Sequence, residues 1–151
     1  MGKEAVMTVN ADAQELYRPS EDEPYMNPRQ LEYFRKKLLN WRKELMEASQ
    51  ETLSKMNQNA SAHPDPVDRA MHEADTALEL RTRDRYRKLL GKIDEALERI
   101  NDGTYGYCAE TGDPIGLKRL EARPVATLSL EAQSRHEKAE KENRASRFGR
   151  G

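Results

Sequence analysis

Two carboxylates three residues apart, Asp65 and Asp68, are the side chains in the sequence that most clearly could take part in chemistry. Acidic residues are favoured at helix starts by capping and by the helix dipole, so a structural role explains them most simply. At the end of a long, narrow arm, they could instead approach a cation or a metal ion inside a partner. A bare tip has no pocket for a substrate, and we therefore predict that the protein is not an enzyme.

A zinc or redox centre is the second chemistry to consider. Cys108 is the single cysteine among 151 residues, so no intramolecular disulfide can form. Cys108 and Thr111 have the spacing of half a zinc knuckle, but threonine is not a usual zinc ligand and the three histidines do not complete a site. Zinc is therefore not expected. Phosphate-binding glycine loops and nucleophile elbows are also absent from the sequence.

Basic residues gather in two places. Residues 81–100 carry seven basic side chains against four acidic ones, and residues 117–124 mix basic with apolar side chains. A solvated helix face explains either stretch alone. Together with Lys88 and Lys92, the second stretch could build an anion pocket if the fold brings the two segments into contact.

Two long helices must position these residues. Asn27 and Pro28 form a helix start. Apolar residues then follow at spacings of three and four, at Leu31, Phe34, Leu38, Trp41 and Leu45. After a slip in register, the pattern continues at Leu53, Met56 and Ala60. Asp65 and Pro66 begin a second helix that ends at residues 101–103. Its predicted seam is Met71, Ala74, Leu78, Tyr86, Leu89, Ile93, Ala96 and Ile100.

These patterns predict a mainly α fold built on a long antiparallel coiled-coil hairpin over residues 27–102, with its tip near 59–68. A polar N-terminal arm over 1–26, with a short helix around 11–17, precedes the hairpin. A compact region over 103–132 and a C-terminal helix with a basic tail over 133–151 follow it. The net charge of −1 argues against strong general attraction to nucleic acid. With no apolar run near 20 residues and no signal peptide, we expect a cytoplasmic protein without membrane contact.

Four motifs in this order resemble the bacterial DksA/TraR family over about residues 25–140. They are Asp65-Pro66-Val67-Asp68-Arg69-Ala70, Leu78-Glu79-Leu80-Arg81-Thr82-Arg83-Asp84-Arg85, Tyr105-Gly106-Tyr107-Cys108 and Ile115-Gly116-Leu117-Lys118-Arg119-Leu120-Glu121-Ala122-Arg123-Pro124. Where the family usually has two Cys-x-x-Cys pairs, this chain has Cys108, Thr111, Ser129 and Ala132. The resemblance thus implies a degenerate zinc-finger-like region, with packing around Tyr107, Ile115, Leu117, Leu120 and Leu128 in place of zinc.

The resemblance also implies a mechanism. Family members insert the coiled coil into the secondary channel of RNA polymerase and change the lifetime of promoter complexes, which represses ribosomal RNA and activates some biosynthetic promoters, without reading DNA sequence. Guanosine tetraphosphate strengthens the effect, and no cofactor is expected on the protein alone. By position, Asp65, Asp68 and Ala70 would act at the tip, Arg85 and Arg119 would bind polymerase, and Leu89, Lys92 and Arg123 would bind the alarmone with polymerase. Gln133 stands where a further basic residue is expected.

Two alternatives remain open. Gre-type cleavage factors present an acidic hairpin in the same channel, where their carboxylates help polymerase to bind a metal ion for transcript cleavage. A generic coiled-coil adapter would explain the heptads but not the motifs after Gly103. Under the leading hypothesis the protein is a monomer that acts on RNA polymerase.

Overall fold

The computed structural model of the protein describes residues 17–58 and 65–149, which form four helices. Helix α1 spans Pro28–Gln58, α2 spans Pro66–Asp102, α3 spans Leu117–Ala122 and α4 spans Leu130–Phe148. The predicted mainly α fold with a long helical hairpin is confirmed. No helix in the described ranges has the length and apolar character to cross a membrane. The expected short helix around 11–17 and the hairpin turn at 59–64 lie outside the described residues, apart from Tyr17.

Helix α1 begins at the predicted cap. The Asn27 side-chain oxygen accepts hydrogen bonds from the amides of Arg29 and Gln30, both at 3.0 Å. The fully buried Gln30 side chain accepts from the Met26 amide at 2.9 Å. It does not bond to the amide of the cap residue, because that amide already donates to the Pro24 carbonyl oxygen. The cap therefore also fixes the chain that enters the helix.

Helix α2 has the predicted start and stop. Asp65 is the N-cap, and its carboxylate accepts from the Val67 amide at 2.9 Å. Gly103 ends the helix with φ 83°, in the left-handed region that glycine adopts without strain, and its amide donates to the Arg99 carbonyl oxygen. Helix α2 therefore runs without interruption from the tip of the hairpin to the compact region.

The core lies where the base of the hairpin meets the compact region. Phe34 and Leu38 of α1, Ile93 of α2 and Leu120 of α3 have no solvent exposure. Tyr105 adds to this core and donates a hydrogen bond to the Pro124 carbonyl oxygen at 2.8 Å. Burying large apolar side chains at one end anchors the register of the two long helices there.

The distal half of the predicted seam is wrong on α2. Met71 and Leu78 are more than 60% exposed, and Ala74 is exposed as well. The partly buried positions are instead His72, Thr76, Glu79 and Arg83, which continue the three-and-four spacing back from Tyr86 and Ile93. Leu78 and Tyr86 are eight residues apart, one more than a heptad, so Leu78 is turned about 80° around the helix from the seam that Tyr86 continues. On α1, Leu53 is likewise 39% exposed and Thr52 turns inward in its place.

The segment before α1 is built into the compact region. Met26 is buried and has φ 53°. A Cβ on Gly106 would lie 2.8 Å from the Met26 side chain, so only glycine permits this approach. The expectation that Tyr107 is central to the packing is wrong, because Tyr107 is 37% exposed whereas Tyr105 is 2% exposed.

Candidate functional site

The three tip residues lie together at the start of α2. Asp65, Asp68 and Ala70 are all exposed, and Asp68 is in the first helical turn. Asp65 is engaged in capping, through its carboxylate and through its carbonyl oxygen, which accepts from the Arg69 amide at 2.9 Å. The two acids are therefore not equivalent: Asp65 shapes the tip, while Asp68 is the carboxylate with no capping task.

Some of the basic residues predicted from the two separate segments meet at the other end of the hairpin, but Lys88 is not among them. Lys92 of α2, Arg119 of α3 and Arg123, which follows α3, line one cavity of about 180 Å³. Gln133 of α4 lines the same cavity. At 1.5 Å rise per residue, roughly 36 Å of helix separate Asp68 from Lys92. The acidic and basic groups thus form two sites on one arm.

Two residues of the anion cavity escaped the sequence prediction. Arg99 and Glu95 line it with the others, so four cations surround a single carboxylate. Arg99 follows Lys92 by seven residues, two helical turns, and this spacing could have identified it. Leu89, expected at this site, packs against the core and is not among the lining residues, and neither is Arg85.

Backbone contacts position the cations of the cavity. The Arg119 guanidinium donates through Nε to the Leu128 carbonyl oxygen at 2.9 Å, and Arg99 Nε donates to the Glu95 carbonyl oxygen at 3.4 Å. Each guanidinium keeps its two terminal nitrogens for other partners, in the planar arrangement that suits phosphate. The excess of positive charge makes this cavity suited to a phosphorylated anion.

The residues at the four knuckle positions do not fit a zinc ion. They offer one thiol, two hydroxyls and the methyl group of Ala132, which is fully buried. The Ser129 hydroxyl is occupied as the N-cap of α4, accepting from the Ala132 amide at 3.2 Å. Within residues 17–58 and 65–149, no group of three or more His, Cys, Asp or Glu is placed to bind a metal ion. Helix capping and methyl packing stand where the ligands would be.

Cys108 retains an environment that favours its thiolate. The Thr111 hydroxyl and the amides of Ser129, Thr111 and Glu110 donate hydrogen bonds to the sulfur and lower the pKa of Cys108 to about 6, although burial acts in the opposite direction. The residue is only 3% exposed. Hydrogen-bond donors thus surround the sulfur as they would a metal-bound thiolate, without further ligands.

Two family models match the chain in succession. One is described as DnaK suppressor protein DksA, N-terminal domain, and matches residues 30–100. The other is described as prokaryotic dksA/traR C4-type zinc finger and matches residues 103–138. The second match extends over the whole compact region. Of the four cysteines that the family usually has there, this chain keeps only Cys108.

Several known proteins are similar over most of the chain. An RNA polymerase-binding transcription factor DksA from Caulobacter vibrioides is 62% identical over 85% of this chain and 90% of the relative. Its Escherichia coli K12 counterpart is 44% identical over 85% of each chain. The structure of transcription factor DksA2 from Pseudomonas aeruginosa has 42% identity and a TM-score of 0.76, covering 85% of this chain and 98% of that one. These relatives are named as transcription factors and not as enzymes, and the chain belongs to the DksA/TraR family.

Proposed function

We propose that the protein binds RNA polymerase through the secondary channel and modulates promoter complexes, with guanosine tetraphosphate as co-regulator. It would repress ribosomal RNA promoters and activate some biosynthetic ones, acting in the cytoplasm as a monomer without reading DNA sequence. The observation that carries the proposal is the arrangement of the two sites, an acidic tip and a cationic cavity at opposite ends of one narrow hairpin.

The hairpin suits entry into a narrow channel. Its two helices can lie about 10 Å apart, and the tip residues Asp65, Asp68 and Ala70 are exposed rather than packed. Asp68 would then bring a negative charge close to the active centre. The relatives named as RNA polymerase-binding factors support polymerase as the partner.

The cationic cavity suits the alarmone at a surface shared with polymerase. Lys92, Arg119 and Arg123 would provide charge for the phosphates, and Arg99 adds a fourth cation. At about 180 Å³, the cavity is smaller than the 300–1,000 Å³ usual for such ligands, which is consistent with polymerase completing the site. Leu89 and Arg85 would contribute at the surrounding interface instead of inside the cavity.

Initiation from a ribosomal RNA promoter in vitro tests the proposal. The protein is titrated against RNA polymerase from the same organism, with and without guanosine tetraphosphate. Inhibition that deepens with the alarmone is expected. Lys92→Ala should reduce this deepening more than the basal effect, whereas Lys118→Ala, an exposed α3 residue outside the cavity lining, should behave as wild type. Folded protein without any effect on initiation contradicts the proposal, and accelerated cleavage of backtracked transcripts would indicate Gre-like activity.

A further inference from the structure

Helix α4 extends from the compact region as an arm that has no buried face beyond its first turn. Its last buried residue is Ala132, and every residue from Ser134 to Phe148 is exposed. At 1.5 Å rise per residue, roughly 24 Å of helix lie between Ala132 and Phe148. Since a helix that is polar on all sides gains nothing from packing, its far end is a surface available to a partner.

Positive charge gathers at the far end of this arm. After Glu142 the sequence contains no acidic residue, whereas Arg144 and Arg147 follow within five positions. Within residues 17–58 and 65–149, the only ion pair of α4 joins His136 to Glu110, so both arginines keep their guanidinium groups for other partners. The spacing of three continues at Arg150, which lies outside the described residues.

An aromatic side chain lies beside these arginines. Phe148 is 87% exposed, more than any other large apolar side chain of the described residues. Residues three and four positions apart are neighbours on a helix surface, so Arg144 lies next to both Arg147 and Phe148. We call these three residues the terminal patch. Arginines in a last helical turn also complement the helix dipole, but that role does not explain the exposed ring of Phe148.

We propose that the terminal patch binds single-stranded RNA without sequence preference. Phe148 would stack on a base, while Arg144 and Arg147 would each contact a backbone phosphate. Proteins that bind single strands irrespective of sequence combine these two kinds of contact. The patch is separate from the acidic tip and from the cationic cavity. The choice of RNA rests on the proposed function, because a transcript is the single-stranded product of the polymerase that the relatives are named as binding.

The chemistry of the terminal patch favours RNA over other anionic surfaces. A helix that binds a membrane needs an apolar face, and from Ser134 to Arg147 the arm offers only Ala139 and Ala145. The carboxylates of an acidic peptide would pair with the arginines but present no aromatic face to Phe148. Duplex nucleic acid keeps its bases stacked inside, so it would use the charges alone. A single strand satisfies both the arginines and the ring.

Fluorescence anisotropy with the protein alone and a labelled, unstructured RNA of about 12 nucleotides tests the inference. With so few phosphate contacts, we expect a dissociation constant of about 10–100 µM at low salt. Phe148→Ala should weaken binding about fivefold or more, because the stacking on one base is lost. Leu130→Ala is the matched control, since Leu130 is 65% exposed at the other end of α4, and it should change the affinity less than about twofold.

Salt dependence tests the two arginines. Arg144→Gln with Arg147→Gln should weaken binding and reduce the slope of log affinity against log salt concentration by about 1.4, since each phosphate contact to a single strand contributes about 0.7. Lys138→Gln removes an exposed cation of the same helix outside the patch and should leave the slope close to that of the wild type. Circular dichroism confirms the helicity of each variant.

Wild-type RNA affinity in Phe148→Ala or in the double arginine variant would overturn the inference. Equal affinity for a duplex of the same length, or tighter binding of single-stranded DNA than of RNA, would do the same. Absence of RNA binding by the wild-type protein would also overturn it but leave the proposed function intact, because the assay contains no polymerase. Loss of polymerase affinity in the variants, with RNA binding retained, would assign the patch to polymerase instead.

Discussion

The Lys37 ammonium lies 2.6 Å from the Glu121 carboxylate and 2.9 Å from the Glu121 carbonyl oxygen, joining α1 to α3 across 84 residues of sequence. The Tyr33 hydroxyl also contacts this carboxylate, which together with burial raises the pKa of Tyr33 to about 12. Burial acts to raise the pKa of Glu121, but Lys37 and Tyr33 outweigh it, and the pKa lies below its usual value of 4.5. One carboxylate thus fastens the compact region to the base of the hairpin.

Lys37→Met should lower the free energy of unfolding by about 1 kcal/mol at pH 7, since both groups are about one third exposed. The pKa of Glu121 is depressed by folding, so its contribution is present above the unfolded pKa and is lost as the pH falls through the folded one. Urea unfolding at neutral and acidic pH measures this. The difference between wild type and variant should shrink below about pH 4. Lys43→Met, at an exposed position of α1, is the control; an equal loss at both pH values would contradict the assignment.

Tyr25→Phe should destabilise the protein by about 1–3 kcal/mol, because it leaves the Gly116 amide without this partner and removes one of the two hydrogen bonds that the Gly106 carbonyl oxygen accepts. The Tyr25 hydroxyl donates to the Gly106 carbonyl oxygen at 2.6 Å and accepts from the Gly116 amide at 3.0 Å. Thermal unfolding provides the measurement. Tyr107→Phe keeps the ring that packs edge-on against Tyr25 and should cost much less. Similar losses for the two variants would show that the hydroxyl contacts are not the cause.

Arg83→Met should stabilise the hairpin by about 1 kcal/mol, because it replaces a desolvated donor with an apolar side chain of similar length. Arg83 Nε is buried and has no hydrogen-bond partner among the described residues. Chemical denaturation of the whole protein detects the change. Arg81→Met, on the exposed face of the same helix, should give no comparable gain. A loss of stability in Arg83→Met would mean that the guanidinium contributes to the seam through its other nitrogens.

The thiol of Cys108 should titrate with a midpoint near pH 6, followed by thiolate absorbance near 240 nm. Thr111→Val removes the side-chain donor and should move the midpoint upward, toward the usual value of 9.0. Folding lowers this pKa, so stability should rise with pH between about 6 and 9 and the gain should be lost as the pH falls through 6. Cys108→Ser should lack this rise. An unchanged midpoint in Thr111→Val would remove the hydroxyl from the explanation.

Asp68→Asn should leave folding and polymerase binding close to wild type and abolish the effect on sensitive promoters. Asp68 is exposed in the first turn of α2, so losing its interaction with the helix dipole should cost less than about 1 kcal/mol. Promoter-complex lifetime and polymerase affinity are measured on the same preparation. Full regulatory activity in the variant would exclude the carboxylate from the mechanism.

The parts of the fold that depend on neighbouring residues could be predicted from the sequence. Asn27, Asp65 and Gly103 act through hydrogen bonds to residues two to four positions away, and the structure confirms all three as helix boundaries. The distal seam could not be predicted, because Met71 and Leu78 have helical spacing and only the buried core around Ile93 decides which face turns inward.

The candidate site also has one part that the sequence predicts and one part that it does not. Asp65 and Asp68 are three residues apart, so the tip follows from the helix start alone. The cationic cavity combines α2 with α3 and α4, and no spacing within one segment shows that Lys92 and Arg119 line the same space. The seven-residue spacing from Lys92 would add Arg99 to any site that Lys92 occupies.

The uninterrupted course of α2 makes the hairpin a spacer of set length. The base is held by the Lys37–Glu121 pair, and 24 helical steps then lead from Lys92 to Asp68. A seven-residue insertion in both helices would advance the tip by roughly 10 Å while returning every side chain nearly to its original face. An insertion of two residues would move it only about 3 Å but turn the tip through more than half a revolution. The number of residues along the hairpin therefore sets both the reach and the orientation of its tip. A homologue with a longer or shorter hairpin would have to differ by whole heptads for its tip to contact the same point in its partner.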